Sequence, residues 1–365
     1  MARKRIILSR TLKVFGFIML PVTLAVFFST YVPPDLFWPA GILALFIPLL
    51  LLIQVLLAIY WLFRRVVWIL IPLSLLAIGY GHIRSTISLH ASAEGVDEGA
   101  LLTVLNYNTG YFQGKKDDTG APAPKADVAE SVATELLIND ADVICLQKFV
   151  QWPHGRGQSF ASRMRSEGYT MYFPAGEDST EVIAGVAIFS RLPVTGSGEF
   201  ELSPRLRHRA AWVDVVRGED TVRVVNVHFP AINTTEAGPF TAKKDQTGEE
   251  IIANLRVRQK ARTEELDVLL DFLAYSPYPV LICGDFNETP YSYTYRKLNA
   301  FYDNAFEEAG RGFGVTYLPF SPFLLRIDHQ FYDDRLVATT FETMKDIKLA
   351  DHYPIRASYR LSRDD

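Results

Sequence analysis

The chain has 365 residues with a formal net charge of −4, and 49% of its residues are hydrophobic. This mildly acidic balance excludes the large basic surface that is typical of general nucleic-acid binders. The hydrophobic residues are concentrated between positions 14 and 83, whereas residues 84–365 have the composition of a soluble domain large enough to bury its own core. We therefore expect a membrane region followed by one soluble domain.

Three apolar runs near the N-terminus predict three transmembrane helices, at about 14–32, 36–63 and 66–83. A helix needs about 20 apolar residues to cross a bilayer, and the third run is just adequate. A cleaved signal peptide would carry one short run and does not fit. The alternative is a helical hairpin buried in a soluble core, and the absence of any charge between positions 42 and 63 argues against it.

The basic residues around these runs predict their orientation. The loop PPDLFWPAG between the first and second runs has no Lys or Arg, whereas basic residues precede the first run and separate the second from the third: Arg3, Lys4, Arg5, Arg10, Lys13, Arg64 and Arg65. Cytoplasmic loops of membrane proteins carry such an excess of Lys and Arg. We therefore expect an integral membrane protein of the bacterial inner-membrane type. Its N-terminus would be cytoplasmic, and everything after Arg84 would be periplasmic or extracellular.

The soluble part begins with a predicted linker at residues 84–100, and residues 101–365 form the predicted domain. Short apolar runs typical of β-strands alternate with amphipathic segments, of which 126–139 and 249–274 have helical spacing. The tight turn at residues 217–220 indicates a hairpin among the strands. This alternation predicts an α/β fold with two packed sheets covered by helices.

Polar residues follow or precede many of the apolar runs, at predicted strand ends. They are Asn108, Lys148, His228, Asp285, Asn287, Asp328, Asp351 and His352. One polar residue at a strand end is weak evidence, because turns also use such residues. Several strand ends of this kind together indicate a site assembled at the edge of a sheet.

The sequence blocks around these residues are similar to those of a known superfamily. They read LNYN, CLQK, VNVH, GDFNETP, LRID and ADHYP, and they follow the family order from Leu101 to the C-terminus. On these blocks the chain resembles the endonuclease/exonuclease/phosphatase superfamily, with its DNase I-like and sphingomyelinase-like branches. The resemblance implies a four-layered α/β sandwich with the site at one rim, and hydrolysis of a phosphoester by an activated water molecule.

The resemblance also implies catalytic roles. Asp285 would take a proton from the attacking water, and Asn287 would orient that water or the phosphate. His352 and His228 would donate hydrogen bonds to phosphate oxygens as negative charge builds up. Asp328 would accept a hydrogen bond from His352 and fix its tautomer. The alternative for each residue is a polar side chain that only ends a strand.

A divalent cation, Mg²⁺ or Mn²⁺, is the cofactor that the resemblance implies, with Asn108, position 148 and Asp351 as its expected ligands. Position 148 departs from the family, because Lys148 stands where the family has Glu. An ammonium group cannot be a ligand, and the local charge changes from −1 to +1. Three alternatives remain open: a substitution that disarms the site, a pseudoenzyme in which Lys148 replaces the metal in binding phosphate, or a metal shifted onto other ligands with reduced activity.

The predicted function is a membrane-tethered, metal-dependent phosphoesterase. The VNVH block that ends at His228 resembles the sphingomyelinase-like, phosphoinositide-phosphatase-like and DNase I-like branches. A membrane tether raises the local concentration of lipid head groups at the site. The expected partners are therefore the lipid bilayer and a lipid-linked or other extracytoplasmic phosphoester, with nucleic acid less favoured. The alternatives are a catalytically impaired phosphate-binding protein and an extracytoplasmic nuclease.

Two segments and two cysteines leave further alternatives open. Residues 312–325, GFGVTYLPFSPFLL, are either a membrane-facing lip or a core-packed loop. Residues 233–249 are predicted to form a loop beside His228 that covers the substrate. Cys145 and Cys283 each lie in an apolar run, either as buried free thiols or as a disulfide.

Overall fold

The fold was obtained as a computed structural model. It describes residues 2–64, 67–90, 101–113, 125–151, 158–173, 183–203, 208–229, 247–318 and 325–362. The helices are α1 Ala2–Ser29, α2 Ala40–Ala44, α3 Ile47–Arg64, α4 Leu70–Ile78, α5 Tyr80–Thr86, α6 Lys125–Ile138, α7 Gln158–Ser166, α8 Gly248–Ala274, α9 Tyr293–Leu298 and α10 Ala305–Ala309. The strands are β1 Ser88–Leu89, β2 Leu102–Asn108, β3 Val143–Gln151, β4 Thr170–Tyr172, β5 Ile183–Ser190, β6 Val194–Ser203, β7 His208–Arg217, β8 Asp220–His228, β9 Val280–Asp285, β10 Asp303–Asn304, β11 Arg311–Gly312, β12 Asp328–Tyr332, β13 Leu336–Thr343 and β14 Ile355–Leu361.

The soluble domain is built on two six-stranded sheets, in the orders β10-β12-β9-β8-β7-β6 and β13-β14-β2-β3-β5-β4. Their inner faces meet in a core that includes Val104, Val213, Leu281 and Ile355. Helices α6 and α7 cover the outer face of the second sheet, and α8 and α9 cover that of the first. Strands covered on both faces read as continuous apolar runs, which explains DVICLQ and VLICGD. The predicted four-layered α/β sandwich is confirmed.

Both predicted long helices of the soluble domain are present, and local sequence explains their bounds. Helix α6 begins and ends one residue earlier than predicted, and α8 begins one residue earlier. At the start of α8 the Thr247 side chain accepts from the Glu250 amide, while the Glu250 side chain accepts from the Thr247 amide. This reciprocal capping satisfies backbone donors that the first helical turn leaves unpaired.

Two parallel strand pairs create one rim of the sandwich. β2 runs parallel to β3, and β8 runs parallel to β9, so the carboxyl ends of these four strands lie together. His228 is the register partner of Asp285, and Asn108 is that of Gln147. β12 runs antiparallel to β9 and begins at Asp328, directly opposite Asp285.

The N-terminal helices form a small bundle in which α1, α3 and α4 pack on one another. Among the described residues, two helical stretches are long and apolar enough to cross a membrane, Ser9–Ser29 and Ile47–Arg64. The third predicted span is bent by 64° between Val67–Ile78 and Tyr80–Thr86, so a third crossing exists only if this pair counts as one span. The bend falls at Gly79, which packs against the Phe27 ring where a Cβ atom would collide.

The second predicted span and the predicted linker also differ in detail from the expectation. Residues 36–63 contain the short helix α2 and then α3, whose Pro48 lies in its first turn, where proline is tolerated. Residues 84–90 of the predicted linker contain the end of α5 and strand β1. Residues 91–100 lie outside the described part of the chain, so the rest of the linker stays a prediction.

The two cysteines face each other from the two sheets. Cys145 is in the middle of β3 and Cys283 in the middle of β9, and both are fully buried free thiols. Burial raises the pKa of Cys283, and a hydrogen bond with Cys145 raises it further. The structure therefore agrees with the buried-thiol alternative.

Candidate active site

Asp285 is the fully buried centre of a polar cluster at the rim. Its Oδ2 atom accepts hydrogen bonds from Asn108 Nδ2 at 2.7 Å and from Asn287 Nδ2 at 3.1 Å, and its Oδ1 atom accepts from the Asn287 amide at 2.8 Å. The preceding residue is Gly284, and a Cβ atom there would collide with the Val227 carbonyl of β8. The glycine thus allows the close strand pairing that brings Asp285 beside the end of β8.

Asn287 lies in a tight turn directly after β9. Its φ angle is 48°, in the left-handed region that Asn tolerates better than most residues. Its Nδ2 atom donates to the Phe229 carbonyl at 2.7 Å as well as to Asp285. The amide therefore ties the end of β8 to the end of β9 beside the carboxylate.

Asp328 and His352 form a buried pair next to Asp285. His352 Nδ1 lies 2.8 Å from Asp328 Oδ2, and His352 Nε2 lies 3.7 Å from Asp285 Oδ2. The Thr316 hydroxyl accepts from the Asp328 amide at 3.2 Å, and the Tyr317 ring lies edge-on to the imidazole at 5.0 Å. The imidazole is therefore oriented by Asp328 on one side with its Nε2 atom directed at Asp285.

The environment shifts the pKa values of Asp285 and His352 in useful directions. Burial raises the pKa of Asp285 to about 6, although the charges of His352 and Lys148 oppose the shift. Burial alone would lower the pKa of His352, but the carboxylates of Asp328 and Asp285 outweigh it and raise that pKa to about 9. At neutral pH the site thus holds an ionised carboxylate beside a protonated imidazole.

Two more exposed residues, His228 and Asp351, lie beside the buried residues of the site. His228 Nε2 lies 3.7 Å from Asp285 Oδ2, and the side chain is 23% exposed. Asp351 Oδ1 lies 3.9 Å from His352 Nε2, with a side chain that is 42% exposed. These two side chains are thus accessible to a ligand beside the buried carboxylate.

Lys148 lies where β3 bulges. The register of β3 against β5 shifts between Leu146 and Phe149, and the φ angle of Lys148 is 49°. The Thr109 hydroxyl donates to the Lys148 carbonyl at 3.0 Å, which fixes this strained backbone beside the end of β2. Lys148 is half-buried, and its charge is one of those that lower the pKa of Asp285, so it acts on the site.

A profile of the Endonuclease/Exonuclease/phosphatase family matches residues 105–352, which contain every residue of this cluster. The chain belongs to this family. Members of the family are hydrolases that act on phosphoesters and are typically dependent on divalent metal ions. Residues 9–86 match a second profile, a domain of unknown function (DUF8431).

Solved structures of the family share the fold. An endonuclease/exonuclease/phosphatase from Beutenbergia cavernae DSM 12333 is 17% identical with a TM-score of 0.51, and the match covers 72% of each chain. D. rerio TDP2 humanized by 14 mutations is 16% identical with a TM-score of 0.52, over 72% of this chain and 99% of that one. An endonuclease/exonuclease/phosphatase from Bacteroides vulgatus is also 16% identical with a TM-score of 0.52, over 72% of this chain and 99% of that one. A search among curated proteins found no significant match.

The donor atoms of the cluster offer a divalent cation a partial set of ligands. One ligand atom each of Asp285, Asp328 and His352 lies within 4.8 Å of the others, but all three side chains are already engaged in the hydrogen bonds described above. Asn108 Oδ1 accepts from the Gly110 amide at 3.1 Å. Asp328 Oδ1 and Asp351 Oδ1 are buried without a hydrogen-bond donor among the described residues, so these two oxygens are free to bind an ion. Lys148 stands where the resemblance implies a carboxylate, and its ammonium group would repel that ion.

The structure brings together all of the residues that the sequence predicted for the site. Sequence reasoning missed a second polar layer just behind them. Gln147 Nε2 donates to Asn106 Oδ1 at 2.6 Å and to Asn226 Oδ1 at 2.7 Å, and all three side chains are fully buried. Asn106 precedes Asn108 by two positions, and Asn226 precedes His228 by two. Alternate residues of a strand point to one face, so this spacing was the signal that could have found them.

Two of the open segments remain untested. Residues 233–246 of the predicted covering loop and residues 319–324 of the predicted lip lie outside the described residues. The first part of the lip, through Thr316 and Tyr317, packs against Asp328 and His352, as a core-packed loop would.

Proposed function

We propose that this protein is a phosphoester hydrolase whose catalytic site is held at a membrane surface by its N-terminal helices. The observation that carries the proposal is the buried Asp285 carboxylate, held by Asn108 and Asn287 and faced by two histidines. Phosphoryl transfer needs positioning and charge neutralisation more than covalent help from the protein. This cluster supplies a base and hydrogen-bond donors within one small region.

Each residue has a distinct part in the proposed reaction. Asp285 accepts a proton from the attacking water, and a pKa near 6 leaves it ionised at neutral pH. His352 donates its Nε2 proton to a phosphate oxygen, and Asp328 holds the other side of the ring. Asn287 orients the water, and His228 donates to the phosphate from the mouth of the site. These are the assignments made from the sequence, and the geometry supports them.

Lys148 favours a second candidate, a phosphate-binding protein with impaired turnover. A carboxylate that holds a divalent cation has a net charge of +1, and an ammonium group has the same charge. Lys148 therefore offers the electrostatic attraction for phosphate that a metal-bound Glu would offer. Lys148 cannot coordinate and polarise a phosphate oxygen as a metal ion would. Binding without efficient hydrolysis is therefore expected from the substitution.

The helical bundle supports a tether that crosses the membrane three times. Lys13 lies over the Trp68 ring at 5.1 Å, so the start of α4 is near the basic N-terminal end of α1. At the opposite end, Phe27 and Ile47 pack in one cluster with Tyr291 of the soluble domain. The chain therefore passes from one end of the bundle to the other along α1, along α3 and again along α4. The predicted extracytoplasmic location of the domain rests on this third passage.

A lipid-linked substrate fits this arrangement best. The residues after Asn287 approach the loop between α1 and α3: a shallow cleft is lined by Ser29 and Thr30 on one side and by Glu288 and Tyr291 on the other. The catalytic loop is thus held beside the end of the predicted spans, where phosphate groups attached to lipids are concentrated. An extracytoplasmic nuclease is the alternative, and the mildly acidic chain gives it no electrostatic support.

The test uses the full-length chain in lipid nanodiscs. Hydrolysis of a generic phosphodiester, a generic phosphomonoester and a lipid phosphoester is compared with Asp285→Asn and with a matched control, Asp214→Asn. Asp214 is a buried carboxylate paired with Arg223 away from the site. Turnover that Asp285→Asn abolishes and Asp214→Asn retains supports the hydrolase. Saturable binding of inorganic phosphate without turnover supports the second candidate, and neither binding nor turnover contradicts both.

A further inference from the structure

The end of the third predicted span and the residues that follow it are docked on the soluble domain. Strand β1 pairs antiparallel with β11, with Ser88 opposite Gly312 and Leu89 opposite Arg311. The Ser88 hydroxyl donates to the Gly310 carbonyl at 2.7 Å. The chain continues from β11 to Thr316 and Tyr317. β1 is therefore paired with the segment that leads to these two residues.

Helix α5 makes a second set of contacts, with residues that follow Asn287 in the chain. The Thr86 hydroxyl lies 2.8 Å from the Tyr291 hydroxyl, and Arg296 donates to His82 Nδ1 at 2.6 Å and to the Ser85 hydroxyl at 3.2 Å. Tyr291 is only four residues beyond Asn287. We define the juxtamembrane segment as Tyr80–Leu89. It thus contacts two loops of the first sheet, the loop after β9 and the loop before β12.

Arg326 is the most deeply buried of these contacts. Its side chain is fully buried, its Nη2 atom donates to the Ser85 carbonyl at 2.8 Å, and its guanidinium lies over the Phe306 ring at 3.7 Å. Ser85 is in the last turn of α5, where helix carbonyls lack helical partners and carry partial negative charge. Arg326 lies two positions before Asp328, so its hydrogen bond holds the end of α5 close to Asp328.

The contacts of β1 and of Arg326 converge on Thr316. The Thr316 hydroxyl accepts from the amides of Ile327 at 3.0 Å and Asp328 at 3.2 Å. Its carbonyl accepts from the Tyr353 amide at 2.7 Å, next to His352. A shift of either β11 or Arg326 thus reaches both members of the Asp328–His352 pair through one residue.

We propose that the juxtamembrane segment is a positioning element of the active site, acting through Arg326 and Thr316 on the Asp328–His352 pair. The inference rests on the proposed function in assigning that pair to the site and the preceding helices to a membrane. Its physical basis is that a displacement of about 1 Å in a catalytic constellation can cost roughly a hundredfold in rate. The membrane anchor of this protein is then also part of its catalytic geometry.

The test compares Arg326→Met with Arg326→Lys in the full-length chain in nanodiscs. Arg223→Met is the matched control, because Arg223 is also largely buried, bonds Asp214 at 2.7 Å and lies over the Trp212 ring at 4.3 Å. Arg326→Met is expected to lower kcat at least about tenfold with little change in KM. Arg326→Lys should recover part of the loss, and Arg223→Met should leave kcat unchanged.

Hydrogen exchange measured on the same variants requires no turnover. Exchange should become faster in residues 311–318, 326–329 and 351–354 of Arg326→Met, and stay unchanged there in Arg223→Met. If Arg326→Met does not fold, the milder double variant Thr86→Val/Ser88→Ala replaces it with the same expectation. Unchanged exchange in these three segments overturns the positioning role. Faster exchange in a protein without turnover supports the positioning role and contradicts only the hydrolase.

Discussion

His352 Nδ1 lies 2.8 Å from Asp328 Oδ2, and this pair is buried beside the carboxylate of Asp285. The arrangement gives the imidazole one fixed orientation and keeps its Nε2 atom directed at the reaction centre. Because the partner of the imidazole is a carboxylate, the pKa of His352 is raised to about 9, and the ring stays protonated at neutral pH. The chemistry that we propose depends on this protonated ring.

Replacing Asp328 with Asn should therefore impair catalysis without removing the phosphate-binding residues. The neutral amide no longer stabilises the protonated imidazole, so the pKa of His352 falls and kcat drops by about 10²-fold or more. Steady-state kinetics at neutral pH measure the effect. Asp333→Asn is the control, because Asp333 pairs with Arg335 away from the site. Equal kcat values for Asp328→Asn and the wild type would show that the pair is not catalytic.

The dependence of kcat/KM on pH should be bell-shaped. Asp285 acts as a base only when ionised, so activity rises as the pH increases through about 6. His352 donates only when protonated, so activity falls as the pH increases through about 9. Lys148→Met should move the acid limb to higher pH, since the ammonium lowers the pKa of Asp285. An acid limb that moves equally in the exposed-site control Lys345→Met would rule out this electrostatic role.

Lys148→Glu should create a metal site that the chain with Lys148 has only weakly. Two like unit charges about 4 Å apart repel by roughly 4 kcal/mol at an effective dielectric near 20, and a divalent ion roughly doubles this. Calorimetry with Mg²⁺ and Mn²⁺ compares the wild type, Lys148→Glu and Lys148→Gln. The glutamine variant removes the repulsion without adding a carboxylate, so it should bind with intermediate affinity. Identical affinities in all three forms would mean that position 148 is not near the ion.

The membrane orientation can be tested with reporters. A reporter that is active only outside the cytoplasm should be active when fused after Asp365 and inactive when fused after Arg64. The physical reason is the third passage that we propose, which would return the chain to the side opposite the basic N-terminus. A cytoplasmic reporter that is active after Asp365 would show that the segment bent at Gly79 does not cross the membrane.

The sandwich and the content of its site were predictable because their signals are local. Apolar runs that end in polar residues mark strands at one rim, and the blocks around Asn108, Asp285 and His352 carry the family resemblance. The pattern does not reveal which atoms meet. The hydrogen bond between His352 and Asp328 was implied by the family resemblance and not by the local pattern, because the two residues come from different chain segments that only tertiary packing brings together.

The juxtamembrane segment was not predictable as part of the domain. Residues 84–90 are mostly polar and short, so they read as a linker. β1 has two residues, and its partner β11 lies more than 200 positions further along the chain. The bend at Gly79 was not predicted either, because Gly79 lies inside the run 66–83 that was read as one span. Such features come from tertiary packing, which hydrophobic periodicity does not encode.

The claim that Asp285 is the base of a phosphoester hydrolase is tested most directly in the Lys148→Glu background. Turnover of a phosphodiester or phosphomonoester by Lys148→Glu is compared with that by Lys148→Glu/Asp285→Asn at the same metal concentration. We predict a loss of about 10²–10⁴-fold in the double variant, with unchanged secondary structure by circular dichroism. Full activity in the folded double variant would contradict the assignment of Asp285 as the base.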